Sequence, residues 1–274
     1  MADQGEPLAR IADALERLSP PPAEADWTAW PAYVWDHRGA RGVEALEAPA
    51  FDLLKGIDRQ KELVRANVAR LAAGHAAHDM LLWGSRGMGK SALLRASVIA
   101  AQKDLPRSIA LVQVGTDGLE GLSELFAQLG KQKRSFLAFI DDLGFADSDS
   151  VGPRHLRSWL EGGVEARPAN VRLAVTSNRR AIVPRNMSEQ DDPINPRDVV
   201  DDKLALADRF GLSIGFHACS QDEYLAIIAG YAADMALDWD EGEALEWSKQ
   251  RGARSGRTAW QFIIEIAGRA GRTV

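Results

Sequence analysis

Residues 83–96 read WGSRGMGKSALLRA and contain the pattern GxxxxGKS, which runs from Gly84 to Ser91. The glycines of such a loop let successive backbone N–H groups point at phosphate oxygens, and the helix that follows adds its positive N-terminal end. The same pattern also occurs in simple glycine-rich turns, so the flanking sequence must distinguish a phosphate-binding loop from a turn. Here the apolar run DMLLW (79–83) precedes it, and SALLRASVIAAQ (91–102) follows with helical spacing. A strand, a glycine loop and a helix in this order predict a phosphate-binding loop.

Lys90 and Ser91 are the side chains of this loop with an expected chemical role. The Lys90 ammonium would neutralise the terminal phosphates of a nucleotide, and the Ser91 hydroxyl would ligate Mg²⁺. We therefore expect ATP or ADP with Mg²⁺ as the ligands. The residues of the loop predicted to bind the nucleotide are Gly84, Ser85, Arg86, Gly87, Met88, Gly89, Lys90, Ser91 and Ala92.

Strands and helices alternate on both sides of this loop. Before it, an amphipathic helix extends to about residue 73, with Asp58 as its predicted N-cap. After it, the predicted strands are 108–115, 134–144 and 171–178, and the predicted helices are 122–130 and 153–163. Such alternation is typical of an α/β fold with a mostly parallel sheet and helices on both faces.

The two ends of the chain differ from this central part. Beyond Cys219, helical spacing predicts a small helical domain with helices at 220–235, 241–253 and 257–270. At the other end, a helix is predicted at 8–18 and is stopped by consecutive prolines at 20–22. The segment WTAWPAYVW (27–35) then contains three of the eight tryptophans. These aromatic residues either pack on the main domain or form a surface for a partner.

Asp141 and Asp142 directly follow the apolar run FLAFI of one predicted strand. Ligands of parallel sheets bind at the carboxyl ends of the strands, where Gly84, both aspartates and Asn178 all fall. Asp141 is expected to hold Mg²⁺ and Asp142 to polarise the water that attacks the terminal phosphate. Asn178 could hydrogen-bond both the water and that phosphate. The alternative for all three polar residues is a role in turns at the strand ends.

Composition and charge exclude several classes of protein. The chain of 274 residues has a net charge of −6, so it has no general basic character that would indicate nucleic acid binding, although a total charge does not reveal a local basic patch. No stretch is apolar enough for a membrane span or a signal peptide. Cys219 is the single cysteine and cannot form an internal disulfide, which favours a reducing compartment such as the cytoplasm.

The order of WGSRGMGKS, FIDD, TSN and DRFG, followed by a helical tail with arginines, resembles that of the AAA+ ATPases. The resemblance implies a P-loop NTPase fold of three αβα layers with a parallel sheet and a small C-terminal α-helical lid domain. It places the Walker B pair at Asp141 and Asp142 and the sensor 1 residue at Asn178. Many members have aspartate followed by glutamate at the Walker B pair. The shorter Asp142 carboxylate reaches water less easily, so we expect slow turnover.

A narrower resemblance concerns the bacterial domain-of-unknown-function family 815. It lies in IDDLGF, LEGGVEARPANVRLAVTSNRR and VVDDKLALADRFGLSIGF, and it extends over about residues 45–274. Together with the patterns above, it indicates three parts. These are 1–44 with the helix, proline linker and tryptophan-rich segment, 45–218 as the nucleotide-binding domain, and 219–274 as the lid.

The AAA+ resemblance also implies roles for residues outside the two Walker motifs. Arg209 in ADRFG would be the arginine finger that reaches the terminal phosphate bound to a neighbouring subunit, unless it forms a structural salt bridge to a nearby aspartate. Arg257 best fits sensor 2, with Arg254 as the alternative. The residues implied to contact the nucleotide base are Leu54, Gly56 and Ile57.

Three functions are compatible with these residues. The first is an ATPase that assembles into a homo-oligomeric ring or spiral, commonly hexameric in AAA+ proteins, and remodels a protein or nucleoprotein partner. The second is a nucleotide-gated module that assembles and recruits a partner with negligible turnover. The third is a small-molecule kinase, which is disfavoured because a kinase has no need of TSN followed by DRFG.

Overall fold

The computed structural model describes Arg10 and residues 25–143, 167–178 and 209–273. These residues contain one seven-stranded sheet in the spatial order β2-β1-β4-β5-β6-β3-β7. All neighbouring strands are parallel except β1 and β2, which are antiparallel. The strands are β1 Ala32–Asp36, β2 Gly39–Val43, β3 Met80–Gly84, β4 Ile109–Val114, β5 Ser135–Ile140, β6 Val171–Ser177 and β7 Leu212–Phe216.

The central strands are apolar on both faces because helices or loops cover both sides of the sheet. Every residue of β5 is buried, and successive side chains enter two different cores. Leu137 and Phe139 pack with the helices on one face, whereas Phe136 and Ala138 pack with the aromatic N-terminal segment on the other. A near-continuous apolar run is what a strand in a covered parallel sheet requires.

Six α-helices lie within the described residues. The first two, α1 and α2, pack on each other beside one face of the sheet, and α3 lies on the other face. The last three form a helical unit in which α6 packs on both α4 and α5. Their bounds are α1 Asp58–Ala72, α2 Lys90–Asp104, α3 Leu122–Gly130, α4 Gln221–Asp234, α5 Glu241–Gln250 and α6 Gly256–Arg269.

The helices of the C-terminal unit begin at residues that can cap them. Ser220 and Glu223 form a reciprocal capping box at the start of α4. Asp240 accepts a hydrogen bond from the Glu243 N–H at 2.8 Å, and Ser255 accepts one from the Thr258 N–H at 3.2 Å. These caps satisfy first-turn N–H groups that have no partner within the helix. The three predicted C-terminal helices are confirmed to within a few residues at each end.

The α/β fold with a mostly parallel sheet is confirmed, but the sheet is wider than the sequence indicated. The strand β7 was not predicted, and the hairpin β1–β2 extends the sheet past β4, with Ala32 paired to Leu111. The hairpin lies before residue 45, where we placed the start of the nucleotide-binding domain. The domain limits themselves stay a prediction.

The tryptophan-rich segment packs on the sheet. Trp27 and Trp35 are 4% and 5% exposed, and the Trp35 indole donates a hydrogen bond to the Gly118 carbonyl at 3.2 Å. Trp30 differs, since 38% of its surface is exposed. The packing interpretation is therefore confirmed for Trp27 and Trp35.

The predicted N-cap of α1 is wrong by one residue. Ile57 occupies the cap position, and its side chain makes no capping hydrogen bond. Asp58 is instead the first helical residue, where its negative charge interacts favourably with the positive end of the helix dipole. Its carboxylate also forms an ion pair with the Lys61 ammonium at 2.6 Å. The predicted helix at 153–163, and the helix at 8–18 apart from Arg10, lie outside the described residues.

Candidate functional site

The glycine loop joins β3 to α2 in a conformation that side chains would obstruct. Gly84, Gly87 and Gly89 have φ values of 120°, 73° and 82°, a region that favours glycine. A Cβ atom on Gly84 would lie 2.0 Å from the Phe216 carbonyl oxygen of β7. The N-cap position of α2 is Gly89, which has no side chain that could cap the helix. The first N–H groups of α2 therefore face the loop without a capping side chain, as an anion site requires.

Lys90 is the buried cation of this loop, with only 7% of its surface exposed. Its ammonium donates to the carbonyl oxygens of Gly84 at 2.9 Å and Ser85 at 2.8 Å, and to the Asn178 side-chain oxygen at 3.3 Å. Burial lowers the pKa of Lys90, while the nearby carboxylates of Asp142 and Asp141 partly offset that shift. The nearby carboxylates thus stabilise the positive charge of Lys90 only in part, which suits the binding of an anionic ligand.

Asp141 lies one residue beyond the end of β5 and accepts two hydroxyl hydrogen bonds. Ser91 Oγ donates to Asp141 Oδ1 at 2.6 Å, and Thr176 Oγ1 donates to the same oxygen at 2.7 Å. Because Ser91 is in the first turn of α2 and Thr176 is in β6, the carboxylate joins the glycine loop to the sheet. Hydroxyl and carboxylate oxygens are hard ligands of the kind that Mg²⁺ takes.

Asp142 occupies the next position with φ of 50°, which is unusual for a residue with a side chain. Its N–H donates to Thr176 Oγ1 at 2.8 Å, and its carboxylate accepts a hydrogen bond from the Asn178 side-chain amide. Asn178 thus contacts both Asp142 and Lys90. The predicted strand-end residues are brought together as expected.

A cavity of about 1090 Å³ opens above these groups. It lies between the carboxyl edge of the sheet, the segment before α1, and the helices α4 and α6. The predicted residues that line it are Leu54, Ile57, Arg86, Gly87, Met88, Gly89, Lys90, Ser91, Ala92, Asp141, Asp142, Asn178 and Arg257. Its volume and its mixture of apolar and charged walls suit a nucleotide.

Four of the predicted site residues do not line this cavity. Gly84 and Ser85 lie beneath it and contribute carbonyl oxygens to Lys90. A side chain on Gly56 would meet Glu223 of α4 rather than the cavity. Arg209, the first described residue after the gap at 179–208, also lies outside the cavity wall.

The last helix closes the cavity next to the glycine loop. Arg257, in the first turn of α6, lines the cavity, and its N–H donates to the Gly87 carbonyl at 3.1 Å. Arg254 precedes the helix and does not line the cavity. The geometry therefore favours Arg257 over Arg254 as the arginine that faces a bound phosphate.

Sequence reasoning missed the cavity wall formed by the C-terminal helices. Ile227, Tyr231 and Met235 of the α4 region face it together with Trp260 of α6. The rings of Tyr231 and Trp260 lie 4.9 Å apart at an interplanar angle of 56°. Helical spacing in this region shows only that some face is apolar, so the sequence could not distinguish a core face from a ligand wall.

Sequence reasoning also missed Thr176. The residue is 1% exposed and bonds to both aspartates. It is the first residue of the TSN motif, in which only Asn178 drew attention. A hydroxyl at an interior position of a buried strand is the signal that could have found it, because buried polar groups require partners.

The residues present fit a nucleotide with Mg²⁺. The uncapped helix start, the buried Lys90 ammonium and the Ser91–Asp141 oxygen pair face one cavity. Within the described residues, there is no cluster of three or more His, Cys, Asp or Glu side chains that would bind a metal through protein ligands alone. The ion would thus depend on few protein oxygens, which is usual for Mg²⁺ held with substrate phosphates.

The order of the five parallel strands β4-β5-β6-β3-β7, with the glycine loop after β3 between β6 and β7, defines a P-loop fold of the AAA+ type. The chain matches the family described as "Protein of unknown function (DUF815)" over residues 28–270, and it belongs to that family. The match begins before residue 45, where we expected it to start, and therefore includes the hairpin β1–β2. No curated protein gives a significant match.

Solved structures with this fold include the RuvB Holliday junction branch migration motor of Thermotoga maritima. It is 18% identical, with a TM-score of 0.51, over 83% of this chain and 68% of that chain. The Aeropyrum pernix ORC2 protein in ADPNP and ADP complexes is 16% identical, with a TM-score of 0.54, over 84% of this chain and 66% of that chain. The ORC1 protein of the same organism, in complex with DNA, is 17% identical, with a TM-score of 0.54, over 80% and 62%. At these identities the likeness concerns the fold.

None of the helices in the described parts of the chain has both the length and the apolar character of a membrane span.

Proposed function

We propose that this protein binds ATP with Mg²⁺ at the carboxyl edge of its sheet and hydrolyses it. The observation that carries the proposal is the connected set of hydrogen bonds from Ser91, through Asp141 and Asp142, to Asn178 and Lys90. This set places a cation, two carboxylates and an amide at the base of one cavity. Each is a group that phosphoryl transfer from a nucleotide uses.

The loop and the cavity walls would hold the nucleotide. The N–H groups at the start of α2 and the Lys90 ammonium would bind the phosphates. The base would lie between Leu54 and Ile57 on one side and the helices of the lid on the other. Arg257 would contact the terminal phosphate as sensor 2 and would report the nucleotide state to α6.

Ser91 and Asp141 would hold Mg²⁺, whose charge supports phosphoryl transfer by neutralising phosphate oxygens. In hydrolysis, the Asp142 carboxylate would orient and polarise the attacking water. The Asn178 amide would hydrogen-bond this water and the terminal phosphate. Since aspartate is one methylene shorter than glutamate, Asp142 would reach the water less easily, and we propose slow turnover.

The active assembly would be a homo-oligomeric ring or spiral. Arg209 lies outside the cavity of its own chain, which is compatible with a finger that reaches the site of a neighbour. An arginine that enters from the next subunit stabilises negative charge that develops during transfer. Head-to-tail contacts of this kind close into rings or continue as spirals, and a hexamer is the commonest AAA+ ring.

A second candidate is a nucleotide-gated module with negligible turnover. It is favoured by the hydrogen bond from the Asn178 amide to the Asp142 carboxylate, which occupies the group that would polarise water. In this case ATP binding would drive assembly and recruitment, and hydrolysis would contribute little.

The partner would be a protein or a nucleoprotein complex in the cytoplasm. ATP-driven movement of the helical unit against the sheet would do mechanical work on it. RuvB is described as a branch migration motor, and the ORC1 structure contains DNA. This chain has a net charge of −6, so we do not propose DNA as its sole partner.

ATP turnover, measured together with sizing chromatography, tests the proposal. The native chain, Lys90→Ala, Asp142→Asn and Arg209→Ala are compared with and without Mg²⁺. Turnover by the native chain and a trapped, ATP-bound assembly of Asp142→Asn would support the ATPase. Binding and assembly without turnover in any of them would support the gated module instead. A kinase would need an acceptor and would stay active as a monomer after loss of Arg209.

A further inference from the structure

Thr176 lies in the interior of the sheet, yet it contacts both residues of the carboxylate pair. The register of β5 and β6 pairs Ile140 with Val175, so the next residues of the two strands, Asp141 and Thr176, come side by side. Thr176 Oγ1 donates to Asp141 Oδ1 at 2.7 Å and accepts the Asp142 N–H at 2.8 Å. One hydroxyl therefore serves as donor to the first aspartate and as acceptor from the second.

This arrangement determines where the two carboxylates point. Asp142 has φ of 50°, a conformation that side chains rarely adopt, and its N–H is held by the Thr176 hydroxyl. With the turn fixed in this way, the Asp141 carboxylate faces Ser91 and the Asp142 carboxylate faces Asn178. A backbone conformation of this kind persists only where its surroundings hold it, and such residues cluster at functional sites.

We propose that Thr176 is a positioning residue of this site. Its hydroxyl aims Asp141 at Ser91, where the metal would bind, and holds the turn that presents Asp142 to the cavity. This inference rests on the proposed function, because it assigns to Thr176 the alignment of groups that bind Mg²⁺ and activate water. Thr176 itself acts through the two aspartates.

Thr176→Val and Thr176→Ser test the proposal. Valine has the same shape but removes the hydroxyl, whereas serine keeps it and removes a methyl group. Ser248→Ala is the matched control, because Ser248 is also a buried hydroxyl, donates to the Leu245 carbonyl at 2.8 Å, and lies in α5 away from the carboxylates.

Two measurements do not depend on turnover. Hydrogen exchange of the Asp142 amide in nucleotide-free protein is expected to become about 10-fold faster in Thr176→Val, because its acceptor is lost. The gain in ATP affinity that Mg²⁺ provides is expected to fall by about 10-fold, as it does when a group that orients a ligand is removed. Serine and the Ser248→Ala control should keep both values near those of the native chain.

The kinetic measurement separates positioning from a general structural role. In Thr176→Val, KM for ATP with Mg²⁺ is expected to rise by about 10-fold along with the loss of the Mg²⁺ effect. In addition, kcat is expected to fall by about 10- to 100-fold, because the alignment of Asp142 matters mainly in the transition state. Thr176→Ser should restore most of kcat. An unchanged kcat and an unchanged Mg²⁺ effect in Thr176→Val would overturn the proposal, whatever the exchange rate.

The result for the native chain keeps this inference distinct from the proposed function. If the native chain binds ATP in a Mg²⁺-dependent manner but does not hydrolyse it, hydrolysis is refuted. Loss of the Mg²⁺ effect in Thr176→Val would then still support positioning of Asp141, and its retention would refute it.

Discussion

The N–H of Arg257 donates a hydrogen bond to the carbonyl of Gly87 at 3.1 Å. This bond joins the middle of the glycine loop to the first turn of α6. A Cβ atom on Gly87 would also lie 2.8 Å from Ser255 Oγ and 2.9 Å from Arg257 Cβ. The loop that would hold phosphates and the helix that would close over them are thus in direct contact. A movement of the loop therefore shifts the start of α6.

Gly87→Ala should therefore destabilise the protein by strain and by steric overlap. Gly74→Ala is a matched control, since Gly74 has nearly the same φ, 72° against 73°, but no atom of the described residues lies within 4 Å of an added Cβ. The control should cost about 1–2 kcal/mol of unfolding free energy for the left-handed backbone alone. Gly87→Ala should cost a further ~1–3 kcal/mol for the overlap. Urea unfolding measures both, and equal costs would show that the contact with α6 is unimportant.

Lys90→Ala should weaken ATP binding by about 100-fold, because a charge-assisted contact to phosphate is worth about 1.5–3 kcal/mol. The stability of the nucleotide-free protein should change little, since burial already disfavours the Lys90 charge. Lys103→Ala, an exposed lysine in the last turn of the same helix, is the control. Equilibrium binding of labelled ATP tests this, and equal affinities for the two variants would contradict a phosphate role for Lys90.

Arg257 and Arg254 should differ in their effect on nucleotide binding. Arg257 lines the cavity and Arg254 does not. Arg257→Ala should weaken ATP binding by about 10-fold and ADP binding less, because its guanidinium would contact the terminal phosphate. Arg254→Ala should leave both affinities within about 2-fold of native, since a removed surface charge contributes little. The reverse order of effects would assign sensor 2 to Arg254.

Tyr224 should make the stability of the C-terminal helices depend on alkaline pH. Burial raises the pKa of Tyr224 from 10.0 to about 12, and the residue is fully buried with its hydroxyl bonded to the Ala244 carbonyl. Because the folded pKa is raised, this contribution to stability is complete below pH 10 and is lost as the pH rises through about 12. The native chain should lose about 1 kcal/mol more than Tyr224→Phe between roughly pH 9 and 11. Parallel pH profiles in urea unfolding would contradict this.

The sequence predicted the residues of the site better than its walls. The glycine loop and the strand-end residues Asp141 and Asn178 were found because their chemistry depends on residue type, and the parallel topology brings strand ends together. Tyr231 and Trp260 were missed, since an apolar helical face reads alike whether it packs on a core or lines a cavity.

In the fold, too, some elements could not be predicted from local sequence patterns, among them the hairpin β1–β2. The strand β2, with the sequence GARGV, has neither alternation nor an apolar run, and it forms because β1 offers an edge to pair with. Asp58 satisfied the composition rule for an N-cap, but Ile57 takes that position. Such details follow from tertiary contacts, which local patterns do not contain.

The most direct test of the proposed inter-subunit ATPase is a mixing experiment with two inactive variants. Asp142→Asn keeps the finger but loses the group that activates water, whereas Arg209→Ala keeps the carboxylate but loses the finger. In a mixed head-to-tail assembly, about a quarter of the interfaces would combine an intact Asp142 with an intact Arg209 from the neighbour. Phosphate release should therefore recover to about a quarter of the native rate on mixing, although each variant alone is inactive. An active native chain with no recovery on mixing would contradict a site shared between subunits.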